Sequence, residues 1–247
     1  MTMRKPLVAA NWKMNGSDAL ARELTAALAT VNLVNVDVLV CPPATLLHTL
    51  ASTEQCLLGA QNLSQYTSGA YTGELSASLL TEAGVRFVLV GHSERRTLFA
   101  ESDLVLAEKM QQAIAHGLTP VYCIGENLQQ RQQEKTGQVL AKQLAAVYAS
   151  HPEFIAKSVI AYEPVWAIGT GEAATPEQAQ QAHAEVRQQL AQYDSKAAAT
   201  VRILYGGSVN SKNATELFGQ PDIDGGLVGG ASLNAEEFLH ICQSAKG

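Results

Sequence analysis

Three side chains able to move protons or hold anions stand directly behind short apolar runs in this chain. Glu163 follows Ser158-Val159-Ile160-Ala161-Tyr162 and precedes Pro164. Proline confines the preceding residue to extended geometry, so this carboxylate is held at the end of its run rather than wound into a helix. Tyr162, Val165 and Trp166 flank it with apolar bulk, and a carboxylate under such cover can serve as a general base. His92 follows Phe87-Val88-Leu89-Val90-Gly91 and stands next to Ser93, which reads as the N-cap of a short helix from Glu94 to Phe99. The positive end of a helix disfavours imidazolium, which leaves His92 as a neutral hydrogen-bond donor. Lys13 follows Pro6 to Ala10 and the pair Asn11-Trp12. A cation there can hold an anionic substrate and stabilise charge developing on a neighbouring oxygen.

Two glycine pairs add an anion site. Gly206-Gly207 precedes Ser208, and Gly229-Gly230 precedes Ala231. Glycine lets backbone N–H groups approach an anion closely, and a helix starting nearby points its positive end at the same spot. The segment from Pro164 to Pro176 carries Ala167-Ile168-Gly169-Thr170-Gly171 between its prolines. Stiff ends with a small, apolar tip suit a lid that folds over a ligand and excludes water. The five other histidines (His48, His116, His151, His183 and His240) fall in or near helical patterns and read as structural or surface residues.

Chemistry at one place requires elements that bring these residues together. Eight apolar runs recur: 6–10, 36–40, 56–60, 86–90, 119–124, 158–162, 201–205 and 226–229. Most are continuous rather than alternating, as expected for parallel strands buried on both faces. Helical patterns lie between them, for example Leu106, Met110, Ala113 and Ile114 on one face. Thr175-Pro176-Glu177-Gln178 is a helix start, Asn213 with Glu216 and Asn234 with Glu237 repeat the capping-box spacing, and Gly117 ends a helix. The alternation predicts an α/β fold, a single (β/α)8 TIM barrel occupying residues 1–247 as one catalytic domain. A doubly wound open sheet is the rival. It normally carries a glycine-rich turn after its first strand, where this chain has Asn-Trp-Lys-Met-Asn-Gly. In a barrel the residues just after each strand share one mouth, and that is where Asn11, Lys13, Gln61, His92, Glu126, Glu163 and the glycine pairs fall.

At 247 residues and 47% hydrophobic content the chain is not disordered and is long enough to bury a large core. Its 17 basic and 23 acidic side chains leave a net charge of −6, which argues against a nucleic-acid-binding surface. No apolar run is long enough for a membrane span, and Asn11-Trp12-Lys13 interrupts the first one too early for an export signal. The four cysteines form no CxxC pair, so reduced thiols in the cytoplasm are expected and a zinc site is not.

Several blocks together resemble the triosephosphate isomerase family. They are Asn11-Trp12-Lys13-Met14-Asn15-Gly16, Gly59-Ala60-Gln61-Asn62, Gly91-His92-Ser93-Glu94-Arg95-Arg96, Cys123-Ile124-Gly125-Glu126, Tyr162 to Gly171, Tyr205-Gly206-Gly207-Ser208-Val209 and Leu227 to Leu233. They occur in the family's order and cover the chain nearly end to end. The resemblance implies reversible isomerisation of dihydroxyacetone phosphate and D-glyceraldehyde 3-phosphate through an enediolate, without cofactor or metal. It implies Glu163 as the base, His92 as the neutral electrophile, Lys13 and Asn11 as enediolate and substrate anchors, and Glu94 as the residue orienting Lys13. It implies a phosphate held on backbone N–H groups near Gly169, Ser208, Gly229 and Gly230. It also implies a homodimer formed through the Gln65–Glu74 loop, with Thr72 reaching Asn11 and Lys13 of the partner and Met14 packing beneath that loop. Two positions depart from the family's pattern. Glu172 stands where Lys is frequent, and Gly226 stands early in the eighth strand, where a larger residue is common and a glycine would loosen the strand by roughly 0.5–1 kcal/mol.

Other readings make different demands. A Schiff-base aldolase on a phosphate-binding barrel needs a lysine inside a strand, and none of the eight runs has one at its core. An inactive binding relative should lack Glu163, His92 or Lys13, and all three are present.

Overall fold

The computed structural model describes residues 4–168 and 174–245. Eight parallel strands close on themselves in sequence order. They are β1 (Leu7–Asn11), β2 (Asp37–Cys41), β3 (Leu57–Ala60), β4 (Phe87–Val90), β5 (Thr119–Ile124), β6 (Val159–Tyr162), β7 (Ile203–Tyr205) and β8 (Gly225–Val228). The ring closes where Leu7 to Ala10 of β1 pair with Gly225 to Val228 of β8. Among the described residues the helices are α1 (Asp18–Ala29), α2 (Leu47–Leu50), α3 (Ala77–Glu82), α4 (Ser93–Leu98), α5 (Asp103–Ala115), α6 (Leu128–Gln132), α7 (Thr136–Tyr148), α8 (Pro176–Ala191), α9 (Ser195–Thr200), α10 (Ala214–Phe218) and α11 (Ala235–Ser244). None is long and apolar enough to cross a membrane.

The continuous apolar runs of the strands are explained by two cores. Successive side chains of a strand point to opposite faces. Leu7, Ala9, Leu39, Cys41, Leu89, Val121, Cys123, Ala161 and Leu204 fill the barrel interior. Their neighbours Val8, Ala10, Val38, Val40, Val88, Val90, Tyr122 and Ile160 pack outward against the helices. Both faces are dry, so no polar alternation is possible.

Local chemistry sets the helix ends. Ser17, Ser76 and Ser102 accept N–H groups of the first turn of α1, α3 and α5. Thr175 and Gln178 cap α8 reciprocally, as their spacing predicts. Asn234 accepts the Glu237 N–H at 2.8 Å, and Gly117 takes φ +75° behind α5. Two expectations are corrected. Asn213 has α-helical backbone geometry and makes no cap; its side chain instead bonds Asn210 N–H and Ser208 C=O, which ties the loop after β7 together. Ser93 lies inside α4, and its cap is His92, whose side chain accepts the Glu94 N–H.

The space beside Gly226 of β8, where the strand is expected to be loose, is occupied. A Cβ on Gly226 would lie 3.1 Å from ring carbons of Phe218, so the aromatic ring of α10 fills that space. Gly225 takes φ +125°, and a Cβ there would lie 2.0 Å from the Leu7 carbonyl oxygen. The closing strand needs glycine at 225, and at 226 a side chain would have to push the Phe218 ring back by a few tenths of an ångström.

Candidate active site

Strand ends converge on a cavity of about 310 Å³ lined by Asn11, Lys13, His92, Glu163, Ile168, Ser208, Leu227, Gly229 and Gly230, among others. Lys13 enters it from a left-handed backbone, φ +52°, unusual for a residue with a Cβ. Two hydrogen bonds hold that conformation. The Lys13 N–H donates to Asn11 Oδ1 at 3.1 Å, and Gln61 Nε2 donates to the Lys13 carbonyl at 2.8 Å. The ammonium donates to Glu94 Oε1 at 2.5 Å, so Lys13 reaches the site oriented by α4.

His92 and Glu163 meet across neighbouring elements. His92 is buried, and its Nδ1 accepts the Glu94 N–H at 3.2 Å. An acceptor Nδ1 carries no proton, so the neutral ring bears its hydrogen on Nε2. That Nε2 lies 3.1 Å from Glu163 Oε1. The contact is out of line for a hydrogen bond, and Oε1 is left without a donor. Glu163 Oε2 accepts the Ser93 N–H at 2.8 Å. The carboxylate is only 2% exposed. A buried carboxylate with one oxygen anchored and the other free can accept a proton from a bound molecule.

The glycine pairs shape the opposite wall. A Cβ on Gly206 would lie 2.9 Å from Glu163 Cγ, and one on Gly229 would lie 3.7 Å from Lys13 Cε. Ser208 Oγ donates to the Ala167 carbonyl at 2.8 Å, linking the loop after β7 to the segment after β6. Gly169, Thr170, Gly171 and Glu172 lie outside the described residues, so the phosphate role expected of Gly169 and the departure at Glu172 are not part of this geometry.

Some residues at the mouth carry more than their position announced. Glu126 is fully buried and accepts hydrogen bonds from Tyr162 Oη, Trp166 Nε1 and Arg131 Nη1, at 3.1–3.2 Å. The Arg131 guanidinium lies 4.5 Å over the Trp166 ring. Trp166 opens the segment after Pro164, and Ala174, at its other end, donates its N–H to Tyr205 Oη at 3.3 Å. The sequence marks Glu126 by its place directly after β5 and by the Cys123-Ile124-Gly125-Glu126 block, neither of which shows its three partners. Burial, with the Glu163 carboxylate beside it, pushes the Cys123 thiol well above its usual range, which makes that thiol inert.

A second cavity, about 320 Å³, lies on the other side of Lys13 and shares Asn11, Lys13 and His92 with the first. Met14, Gly73, Glu74, Arg95 and Phe99 line it.

Removing a proton beside a carbonyl, while holding the new charge on oxygen and tethering the molecule by an anionic tail, is the work of an aldose–ketose isomerase, and the barrel belongs with that class of enzyme. The triosephosphate isomerase family model matches residues 6–245. Triosephosphate isomerases are 51% identical in Alkalilimnicola ehrlichii, over 99% of this chain and 100% of that protein, and 49% identical in Shewanella amazonensis, over 99% of each. The one from Shewanella halifaxensis is 46% identical, again over 99% of each. The chain belongs to the triosephosphate isomerase family, and its reaction is that family's interconversion of dihydroxyacetone phosphate and D-glyceraldehyde 3-phosphate, a step of glycolysis.

Proposed function

We propose that Glu163 is the base that takes a proton from one carbon of the triose phosphate and returns it to the next. The carrying observation is the pairing of a neutral His92, with its hydrogen on Nε2, and a donor-free Glu163 Oε1 3.1 Å away in one cavity. In this family a carboxylate base and a neutral histidine owe their separate roles to their surroundings, and the same division is assigned here. Glu163 leaves the Ser93 N–H to reach the substrate carbon. His92 Nε2–H polarises the carbonyl and passes protons between the two oxygens. Lys13 and Asn11 stabilise the enediolate oxygen, where fixed donors supply most of the acceleration. Glu94 keeps Lys13 aimed. The phosphate sits on backbone N–H groups near Ser208, Gly229 and Gly230, with Gly169 as a further donor. Only proton transfers are required, so no cofactor or metal enters. The segment from Pro164 to Pro176 closes over the intermediate, which in water would expel its phosphate.

The same reading takes residues 1–247 as one catalytic domain in the cytoplasm, working as a homodimer through the Gln65–Glu74 loop. Residues 66 to 74 of that loop are all exposed, yet the loop is already shaped, with Tyr66 and Tyr71 stacked at 3.9 Å. Met14 is 95% and Phe99 63% exposed beside the second cavity. A second copy of the loop suits that cavity, with its Thr72 near Asn11 and Lys13.

The test is turnover of both triose phosphates in a coupled assay. Glu163→Gln should lower kcat on the order of 10²–10⁴-fold or more, with the fold intact. Near-normal turnover in that variant overturns the assignment of the base.

A further inference from the structure

Strand β4 ends at Val90, whose partner on β5 is Tyr122. Strand β5 continues to Ile124 and runs on into Gly125 and Glu126. On its β6 side the ladder continues: Glu163 N–H donates to the Ile124 carbonyl at 2.7 Å, and Val165 N–H donates to the Glu126 carbonyl at 3.1 Å. Successive residues of a strand direct their backbone groups to opposite sides. Gly125 therefore presents its N–H and C=O toward the place that β4 has left.

A side chain of α7 fills that place. Gln143 Oε1 accepts the Gly125 N–H at 2.8 Å, and Gln143 Nε2 donates to the Gly125 carbonyl at 3.2 Å. A primary amide offers one donor and one acceptor, as a peptide group does, and so stands in for the missing strand. The Gln143 backbone is itself fixed, because Tyr122 Oη donates to its carbonyl at 2.7 Å. Arg96 does the same work two residues earlier, donating to the Cys123 carbonyl at 3.0 Å and to the Gly91 carbonyl at 2.8 Å. Gly125 has no side chain with which to anchor itself and cannot acquire one. A Cβ there would lie 1.7 Å from the Glu163 carbonyl oxygen.

We propose that Gln143 is a positioning residue for Glu163: by clamping the Gly125 peptide from α7 it fixes the two carbonyls, of Ile124 and Glu126, on which the backbone around the base hangs. This rests on Glu163 being the base. The substitution frees β4 to end early, so that Gly91 and His92 can turn into the mouth beside Glu163. A base displaced by a fraction of an ångström loses rate without losing substrate, because the phosphate loops follow β7 and β8.

The experiment is a kinetic cycle on the full chain. Gln143→Met keeps the bulk of the side chain and deletes both hydrogen bonds. It should lower kcat about 10-fold or more and leave KM within about twofold. In a Glu163→Gln background the same change should lower the residual rate by less than about twofold, because the group it positions is gone. Gln143→Glu keeps the acceptor for Gly125 N–H but sets a carboxylate oxygen against the Gly125 carbonyl. Protonation restores a donor, so the kcat of this variant relative to the parent should rise as pH falls. A full effect of Gln143→Met in the Glu163→Gln background overturns the proposal, as does a parental kcat with only a lowered melting temperature. High turnover in Glu163→Gln alone is a different failure, that of the base assignment itself.

Discussion

His183 offers a measurable link between burial and acid sensitivity. Its ring is fully buried on α8, edge-on to Tyr162 at 5.8 Å and tilted against Tyr205 at 6.3 Å. Nδ1 lies 3.2 Å from the Asp222 carbonyl, which can only accept, so Nδ1 carries the hydrogen. Nε2 has no partner. Burial pulls its pKa down from 6.5 to about 4, with the nearby Arg187 adding to the shift and the Asp222 contacts opposing it. The unfolded chain therefore binds a proton at His183 where the native one does not. Stability from this group is complete above pH 6.5 and is lost as pH falls from there toward about 4. The whole window is worth about 3 kcal/mol, and about 2 kcal/mol of it is gone by roughly pH 5. His183→Asn retains a donor for the Asp222 carbonyl and removes the titration. Urea unfolding of both proteins at about pH 7 and 5, at one fixed protein concentration, gives the comparison. The parent should lose about 2 kcal/mol more than the variant between the two conditions. Equal losses would refute the argument, because every other titrating group is common to both proteins.

Two further outcomes test the closing strand and the second cavity. Gly225→Ala must place a side chain at φ +125° against the Leu7 carbonyl, and should cost upwards of about 2 kcal/mol in chemical denaturation while the folded fraction keeps the parental KM. Thr72→Glu, read by sedimentation and by specific activity on dilution, should shift the protein toward monomer and lower activity in step. An active monomer would separate the loop from the site.

Much of the site was legible because barrel topology converts sequence position into spatial position. Once eight buried runs are recognised, Asn11, His92, Glu163 and the glycine pairs must share a mouth. The side-chain hydrogen bonds were not legible. Nothing in the residue order says that Glu94 N–H would take His92 Nδ1, so Ser93 looked like the cap. Gly226 looked like a weakness because its compensating partner, Phe218, lies on another element. Gln143 sits on a helix face with ordinary polar character, and its role exists only because β4 stops three residues short of the position that would face Gly125.

The ring closure has a consequence for synthesis. Leu7 to Ala10 wait for Gly225 to Val228, the most distant pairing in the sheet. Until that last segment leaves the ribosome, neither β1 nor β7 has β8 to pair with, and any sheet already formed has two unsatisfied rims. Such rims invite pairing with other chains. Chaperone demand should therefore peak late in translation and end abruptly when β8 docks.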